Sequence, residues 1–187
     1  MWHWTRATIN FAPVTFWYVL PGGKSNIKPD TAGVKAPVVL KRSDIISPDI
    51  ENGKIEGENL ILSSMTGGDF SYQNAIKQNW SGNMQLFWTD TKPGDKLTLS
   101  FYADKDSVVN VSAHFSLAKD YGIFRLYING KPTGKIINLF NDNLTTQLIS
   151  LGKFLLIKGE NKLVIEVMGT SPDPKKACLG IDYLVFN

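Results

Sequence analysis

Apolar and polar side chains alternate along much of the chain, as in Leu97-Thr98-Leu99-Ser100-Phe101, Val109-Asn110-Val111-Ser112-Ala113 and Leu163-Val164-Ile165-Glu166-Val167. A period of two sets one row of side chains on a core and the other nearer water, which is the signature of half-buried β-strands. Turn-forming residues punctuate these runs: Pro21-Gly22-Gly23, Asn52-Gly53, Gly67-Gly68, Pro93-Gly94, Asn129-Gly130, Gly159 and Gly180. Ile128-Asn129-Gly130-Lys131 carries the dipeptide that accepts positive φ at both central turn positions, so it predicts a hairpin between residues 122–128 and about 134–140. β-Branched and aromatic residues dominate, and no window holds a sustained i, i+3, i+4 stripe with caps. The pattern predicts an all-β protein, an antiparallel β-sandwich with jelly-roll topology.

The character of the chain changes near residue 45. Before it lie Trp2, Trp4, Trp17, Tyr18 and a loop rich in Pro, Gly, Lys and Asn; after it comes a self-contained run of strands from about Lys54 to Phe186. This divides the chain into an N-terminal strand segment and linker, 1–46, and a sandwich module, 47–187. The first stretch, WHWTRATINFAPVTFWYVL, reads as strand almost from its first residue. Trp2, Trp4, Phe11, Phe16, Trp17 and Tyr18 need a surface to cover them, and Pro13 breaks the ribbon into two halves. The segment is therefore expected to add a strand to the sandwich or to pair with a second copy, giving a homo-oligomer.

At 187 residues, 43% hydrophobic and 20% charged, the chain has the make-up of a globular domain able to bury a core without staples. The surplus of 20 Lys and Arg over 17 Asp and Glu is scattered, which argues against nucleic acid as a partner. Phe16 to Leu20 is too short an apolar run to span a membrane. The single cysteine, Cys178, forms no internal disulfide and reads as a small core residue.

Two resemblances attach to particular residues. The stretch WHWTRATINFAPVTFWYVLPGGKSNIKPD resembles the segment that closes the catalytic domain in bacterial proteins of glycoside hydrolase family 172, the family of difructose-anhydride and fructofuranosidase-type enzymes. The remainder, with KIEGENL, NWSGNMQLFW, LAKDYGIFRLYINGK, IKGENKLVIEV and CLGIDYLVF, resembles the sandwich into which those proteins often continue. The resemblance implies an accessory module, with residues 1–46 the tail of a catalytic domain whose bulk lies elsewhere, and a periplasmic or cell-surface setting. The same C-terminal pattern is similar to carbohydrate-binding modules of families 6 and 35, which implies a galactose-binding-like jelly roll.

In such modules the first and last strands hold a structural calcium. Glu56 and Glu58, two apart, are expected on one face of a strand, with Asp182 in the closing strand beside it, and converging hard oxygen ligands suit Ca2+. The plainer alternative is solvated carboxylates paired with Lys54. For glycan binding the candidates are Trp80, Trp88, Tyr121 and Asp120, since sugars are held by a ring against their apolar face and by carboxylates accepting hydroxyl bonds. Trp80, flanked by Gln78-Asn79 and Ser81-Gly82, reads as nearer a loop; Trp88 ends an alternating strand and Asp120-Tyr121-Gly122 also fits plain turn chemistry.

Catalysis is the weaker reading. The chain holds no G-x-S-x-G elbow, H-E-x-x-H or phosphate-cradling glycine loop, and His3 and His114 lie far apart. A minimal glycosidase needs only two carboxylates across a cleft, and Glu58 with Glu166 is the pair to test. A non-catalytic, carbohydrate-binding-module-like sandwich leads; a structural or oligomerisation module with no sugar is the runner-up.

Overall fold

A computed structural model describes residues 47–75, 78–170 and 177–187, which belong to a compact unit running from Ile46 to Asn187. The expected N-terminal ribbon and its aromatics lie outside the described residues. The strands are β1 (Lys54–Glu56), β2 (Ile61–Met65), β3 (Asp69–Asn74), β4 (Met84–Thr89), β5 (Lys96–Ala103), β6 (Ser107–Leu117), β7 (Ile123–Ile128), β8 (Lys131–Asn138), β9 (Thr145–Leu156), β10 (Gly159–Gly169) and β11 (Leu179–Phe186). Two single 3-10 turns, Gly57–Asn59 and Ser81–Asn83, interrupt them, and no α-helix occurs among the described residues.

The strands form two antiparallel sheets, as the alternation predicts. One runs β3-β4-β11-β6-β9 with β1 added on β11; the other runs β2-β5-β10-β7-β8. Leu97, Leu99 and Phe101 of β5, Phe124 and Leu126 of β7 and Leu163 and Ile165 of β10 are fully buried, as are Val111, Ala113 and Phe115 of β6. Ring pairs join the layers, with Phe101 5.3 Å from Phe186 and Trp88 6.5 Å from Phe124. Each such ring removes about 150–250 Å² from water, so these pairs add substantially to the aliphatic core between the sheets.

The expected hairpin is present. Asn129 and Gly130 take φ of 48° and 79°, the conformation that a two-residue turn between right-twisted strands requires. Its second strand starts at Lys131 rather than 134, because the turn is only two residues long. The pairing then slips between Arg125↔Ile136 and Tyr127↔Pro132, so β8 bulges at Thr133–Lys135. Pro132 and Gly134, with φ of 73°, sit on an edge strand, where neither breaks a ladder on both sides.

A second irregularity positions a cluster of charge. Leu179 to Ile181 of β11 pair with β4, whereas Tyr183 to Val185 pair with β1, so β11 changes partner on one edge at Asp182. Its pairing with β6 is irregular at the same point, between Ile181 and Tyr183. Gly57 closes the gap: a Cβ there would lie 3.0 Å from Asp182 O and still nearer Ile181 O, so only glycine lets the backbones approach.

Candidate functional site

At the partner switch the turn that follows β1 and the loop that precedes β4 meet. Ser81 joins two carboxylates: its N–H donates to Asp182 Oδ1 at 2.9 Å and its hydroxyl to Glu56 Oε1 at 2.8 Å. Asp182 Oδ2 pairs with His114 Nδ1 at 2.9 Å. Lys54 Nζ donates to Glu56 Oε1 at 2.8 Å and to Ser81 Oγ at 2.6 Å, and lies 4.1 Å from the centroid of the Tyr183 ring. His114 stacks on Tyr183 at 4.7 Å. Burial pushes the Asp182 carboxyl above its ordinary 3.8, against the pull of His114 and the Ser81 N–H.

The sequence brings Glu56 and Asp182 together through the pairing of first and last strands. It misplaces Glu58, which lies in the 3-10 turn rather than on one strand face with Glu56, because β1 ends at Glu56. Glu58 is buried beside Gly82, where a Cβ would come within 2.9 Å of its Oε1. Among the described residues no group of three or more His, Cys, Asp or Glu side chains is disposed to hold a metal ion. One feature would suit a cation, since Glu56 Oε2 is buried with no hydrogen-bond partner. As placed, however, both Asp182 oxygens are engaged and the charge facing Glu56 is the Lys54 ammonium, so these residues do not fit calcium, which takes about six to eight oxygens. Lys54 pairs with Glu56 alone, while Asp182, 1% exposed, pairs with His114.

The aromatic candidates turn inward. Trp88 is fully buried and its indole donates to Gly67 O at 2.9 Å. Trp80 is only 4% exposed and Tyr121 3%, so neither offers a ring face to a sugar. The structure does bring these two together: Trp80 Nε1 donates to Ser116 Oγ at 2.9 Å, Ser116 Oγ to Gln85 Oε1 at 2.7 Å, and Gln85 Nε2 approaches the Tyr121 hydroxyl at 3.4 Å. Gln85 also donates to Gln73 Oε1 at 2.7 Å. Ser116 alternates with core-facing Phe115 and so points outward, yet is fully buried, because the Trp80 loop is folded over that face of the sheet. Alternation cannot reveal a loop folded over a sheet's outer face. Burial drives the Tyr121 hydroxyl far above the usual tyrosine range. Asp120 stays half-exposed, its backbone carbonyl accepting from the Cys178 N–H at 2.9 Å.

The proposed catalytic pair is not assembled. Glu58 is buried in a turn packed against β4 and β11 of the first sheet, whereas Glu166 lies on β10 of the second. Glu166 Oε2 accepts from the Tyr127 hydroxyl at 2.7 Å, and its Oε1 lies 3.5 Å from Lys96 Nζ. The Tyr127 bond, with help from Lys96 and Arg125, holds its carboxyl below the usual carboxylate range.

That outer face carries a groove the sequence reading missed. About 400 Å³ in volume, it is lined by Arg125, Tyr127, Pro132, Gly134, Lys135 and Ile136. The β8 bulge shapes one wall; the exposed Ile136 and Pro132 give it apolar surface beside the Tyr127 ring. The available signal was Lys131-Pro132-Thr133-Gly134-Lys135 straight after the hairpin turn, since Pro and Gly inside an edge strand mark a bulge.

No protein-family model matches the chain, and no curated protein matches it in sequence. Solved structures do match its fold. A Paenibacillus xanthan lyase is 18% identical with a TM-score of 0.64, over 72% of this chain and 13% of that one. A Paenibacillus cycloisomaltooligosaccharide glucanotransferase, solved with cycloisomaltoheptaose, is 15% identical with a TM-score of 0.50, over 76% of this chain and 19% of that one. A family 35 carbohydrate-binding module from Clostridium thermocellum aligns over 73% of this chain and 98% of that one at 18% identity, with a TM-score of 0.47. The chain thus spans under a fifth of the two larger proteins, and what it shares with them is the antiparallel sandwich. Among the described residues no helix is long and apolar enough to cross a membrane.

Proposed function

We propose that the sandwich is a non-catalytic, glycan-binding accessory module of a bacterial glycan-processing enzyme, of the family 172 type that its sequence resembles, working in the periplasm or at the cell surface. The observation that carries this reading is the groove on the five-stranded sheet, where a half-exposed tyrosine ring lies among apolar edge residues and charged hydrogen-bond donors. That is the combination a sugar needs: a flat surface for its C–H face and donors for its oxygens. Its volume falls within the range of small-molecule sites. The fold's recurrence as a small part of larger glycan-acting proteins supports an accessory role. The separation of Glu58 from Glu166 speaks against the glycosidase alternative.

Affinity electrophoresis of the full chain through gels containing soluble polysaccharides tests the proposal. Retardation by at least one polymer is expected, with Tyr127→Ala weakening it about tenfold or more. Failure of every polymer, or retention unchanged in Tyr127→Ala, would reject the groove as a glycan site.

One observation favours the structural alternative. Val108 and Leu155 face each other across β6 and β9 at 60% and 48% exposure, and Ile157, two residues beyond Leu155, is exposed too. If this patch packs against another copy, light scattering will show a dimer that Val108→Lys dissolves.

A further inference from the structure

Resting on the groove as the glycan site, we infer that it selects anionic glycans, those bearing carboxylate or sulfate groups, and that Arg125 reads the anion. Of the six residues lining the groove, two are cationic and none is acidic. The nearest carboxylate on the sheet is Glu166, in register with Arg125 across the β7–β10 ladder. Its oxygens are taken by the Tyr127 hydroxyl at 2.7 Å and by Lys96 at 3.5 Å. Among the described residues Arg125 and Lys135 form no ion pair; Glu166 is the carboxylate that faces Arg125, at longer range and bonded to Tyr127 and Lys96, so the lining of the groove carries a surplus of positive charge.

The placement suits an acidic sugar. A guanidinium offers a planar fork that matches a carboxylate or sulfate with two parallel hydrogen bonds, which an ammonium does not. Arg125 projects beside the Tyr127 ring on the same strand face, two residues along β7, so a pyranose stacked on the ring would carry its anionic substituent toward the fork. Lys135, on the bulge, adds a second, exposed charge to the lining. Glu166, held ionised chiefly by Tyr127 with Lys96 and Arg125 assisting, anchors the Tyr127 hydroxyl, and its short contacts go to Tyr127 and Lys96 rather than to the Arg125 fork. A neutral glycan would meet the guanidinium with hydroxyls alone; an anionic one offers it a charge-assisted, two-point hydrogen bond.

The test titrates the full chain with a polyuronate, a sulfated galactan and a neutral mannan at low and at 300 mM salt. The net charge of +3 could attract any polyanion, so Lys153→Gln, on the far sheet, serves as the charge-matched control. The expected result is binding to an acidic polymer that weakens with salt, falls about tenfold in Arg125→Gln, recovers only in part in Arg125→Lys, and is unchanged in Lys153→Gln. Preference between polyuronate and sulfated galactan identifies the anion. Equal losses in Arg125→Gln and Lys153→Gln reveal unspecific attraction and overturn the inference. Retention by mannan alone, lost in Tyr127→Ala but not in Arg125→Gln, also overturns it while leaving the groove a glycan site. Retention by none of the three overturns both.

Discussion

Asp182 Oδ2 and His114 Nδ1 lie 2.9 Å apart, in a strand junction where Asp182 is 1% exposed. Burial raises this carboxyl above its ordinary 3.8, and Glu56 nearby adds to the rise. A folded-state value above the unfolded one means that ionisation costs the native state. The stabilising contribution is therefore fully present below the unfolded value and is lost as pH rises through the folded one. Asp182→Asn keeps an oxygen for the Ser81 N–H and carries no charge. Melting curves from pH 3 to 7 should show it gaining on the native protein as pH rises; the reverse trend rejects the assignment. Asp182→Ala, which leaves the Ser81 N–H unpaired, should lose about 1–3 kcal/mol.

The Lys54 ammonium lies 2.8 Å from Glu56 Oε1, among the carboxylates expected to bind calcium, and competes there with any cation. Addition of excess chelator, or of millimolar Ca2+, should leave the melting temperature unchanged, since only a ligand of the native state raises it. Lys54→Met should lower stability by up to about 1 kcal/mol, because the pair with Glu56 is partly solvated. A calcium-dependent rise in the native protein would place the ion among these carboxylates and displace the lysine.

Much of this was legible from spacing. Period-two alternation yielded the strands, Asn129-Gly130 yielded the hairpin, and the likeness of KIEGENL and GIDYL to paired first and last strands brought Glu56 to Asp182. What escaped was whatever depends on a third layer or a local slip. Trp80 sits in a polar loop, yet that loop folds over the sheet and buries it against Ser116. Glu58 is two residues from Glu56, yet β1 ends between them. Arg125 and Tyr127 looked like ordinary strand residues, because the bulge that opens a groove beside them belongs to β8.

The buried chain from Trp80 to Tyr121 depends on Gly180, where a Cβ would collide with Gln85 Oε1 and lie 2.9 Å from the Tyr121 hydroxyl. Gly180→Ala should cost about 1–3 kcal/mol through overpacking. Trp80→Phe removes the indole N–H from Ser116 Oγ and should cost a similar amount, about 1–3 kcal/mol. Both share Gln85 and Ser116, so urea unfolding of the double variant should show a loss smaller than the sum of the two. Strict additivity would mean that the hydrogen bonds do not act as one network.

Tyr127 combines two roles that can be separated, because its ring faces the groove while its hydroxyl holds Glu166. That bond is the leading cause of the depressed Glu166 carboxyl, with Lys96 second among the groups that lower it. A depressed folded-state value adds stability that is present above the unfolded value and is lost as pH falls through the folded one. Tyr127→Phe removes the donor and keeps the ring. Carbon NMR should find the Glu166 midpoint below the ordinary 4.5 in the native protein and moved upward in Tyr127→Phe, with a shallower loss of stability in acid. Glycan retention should survive this change and fail in Tyr127→Ala, since stacking needs the ring alone. If both variants lose retention equally, the hydroxyl and Glu166 contact the sugar directly, and the division of labour argued for this residue is wrong.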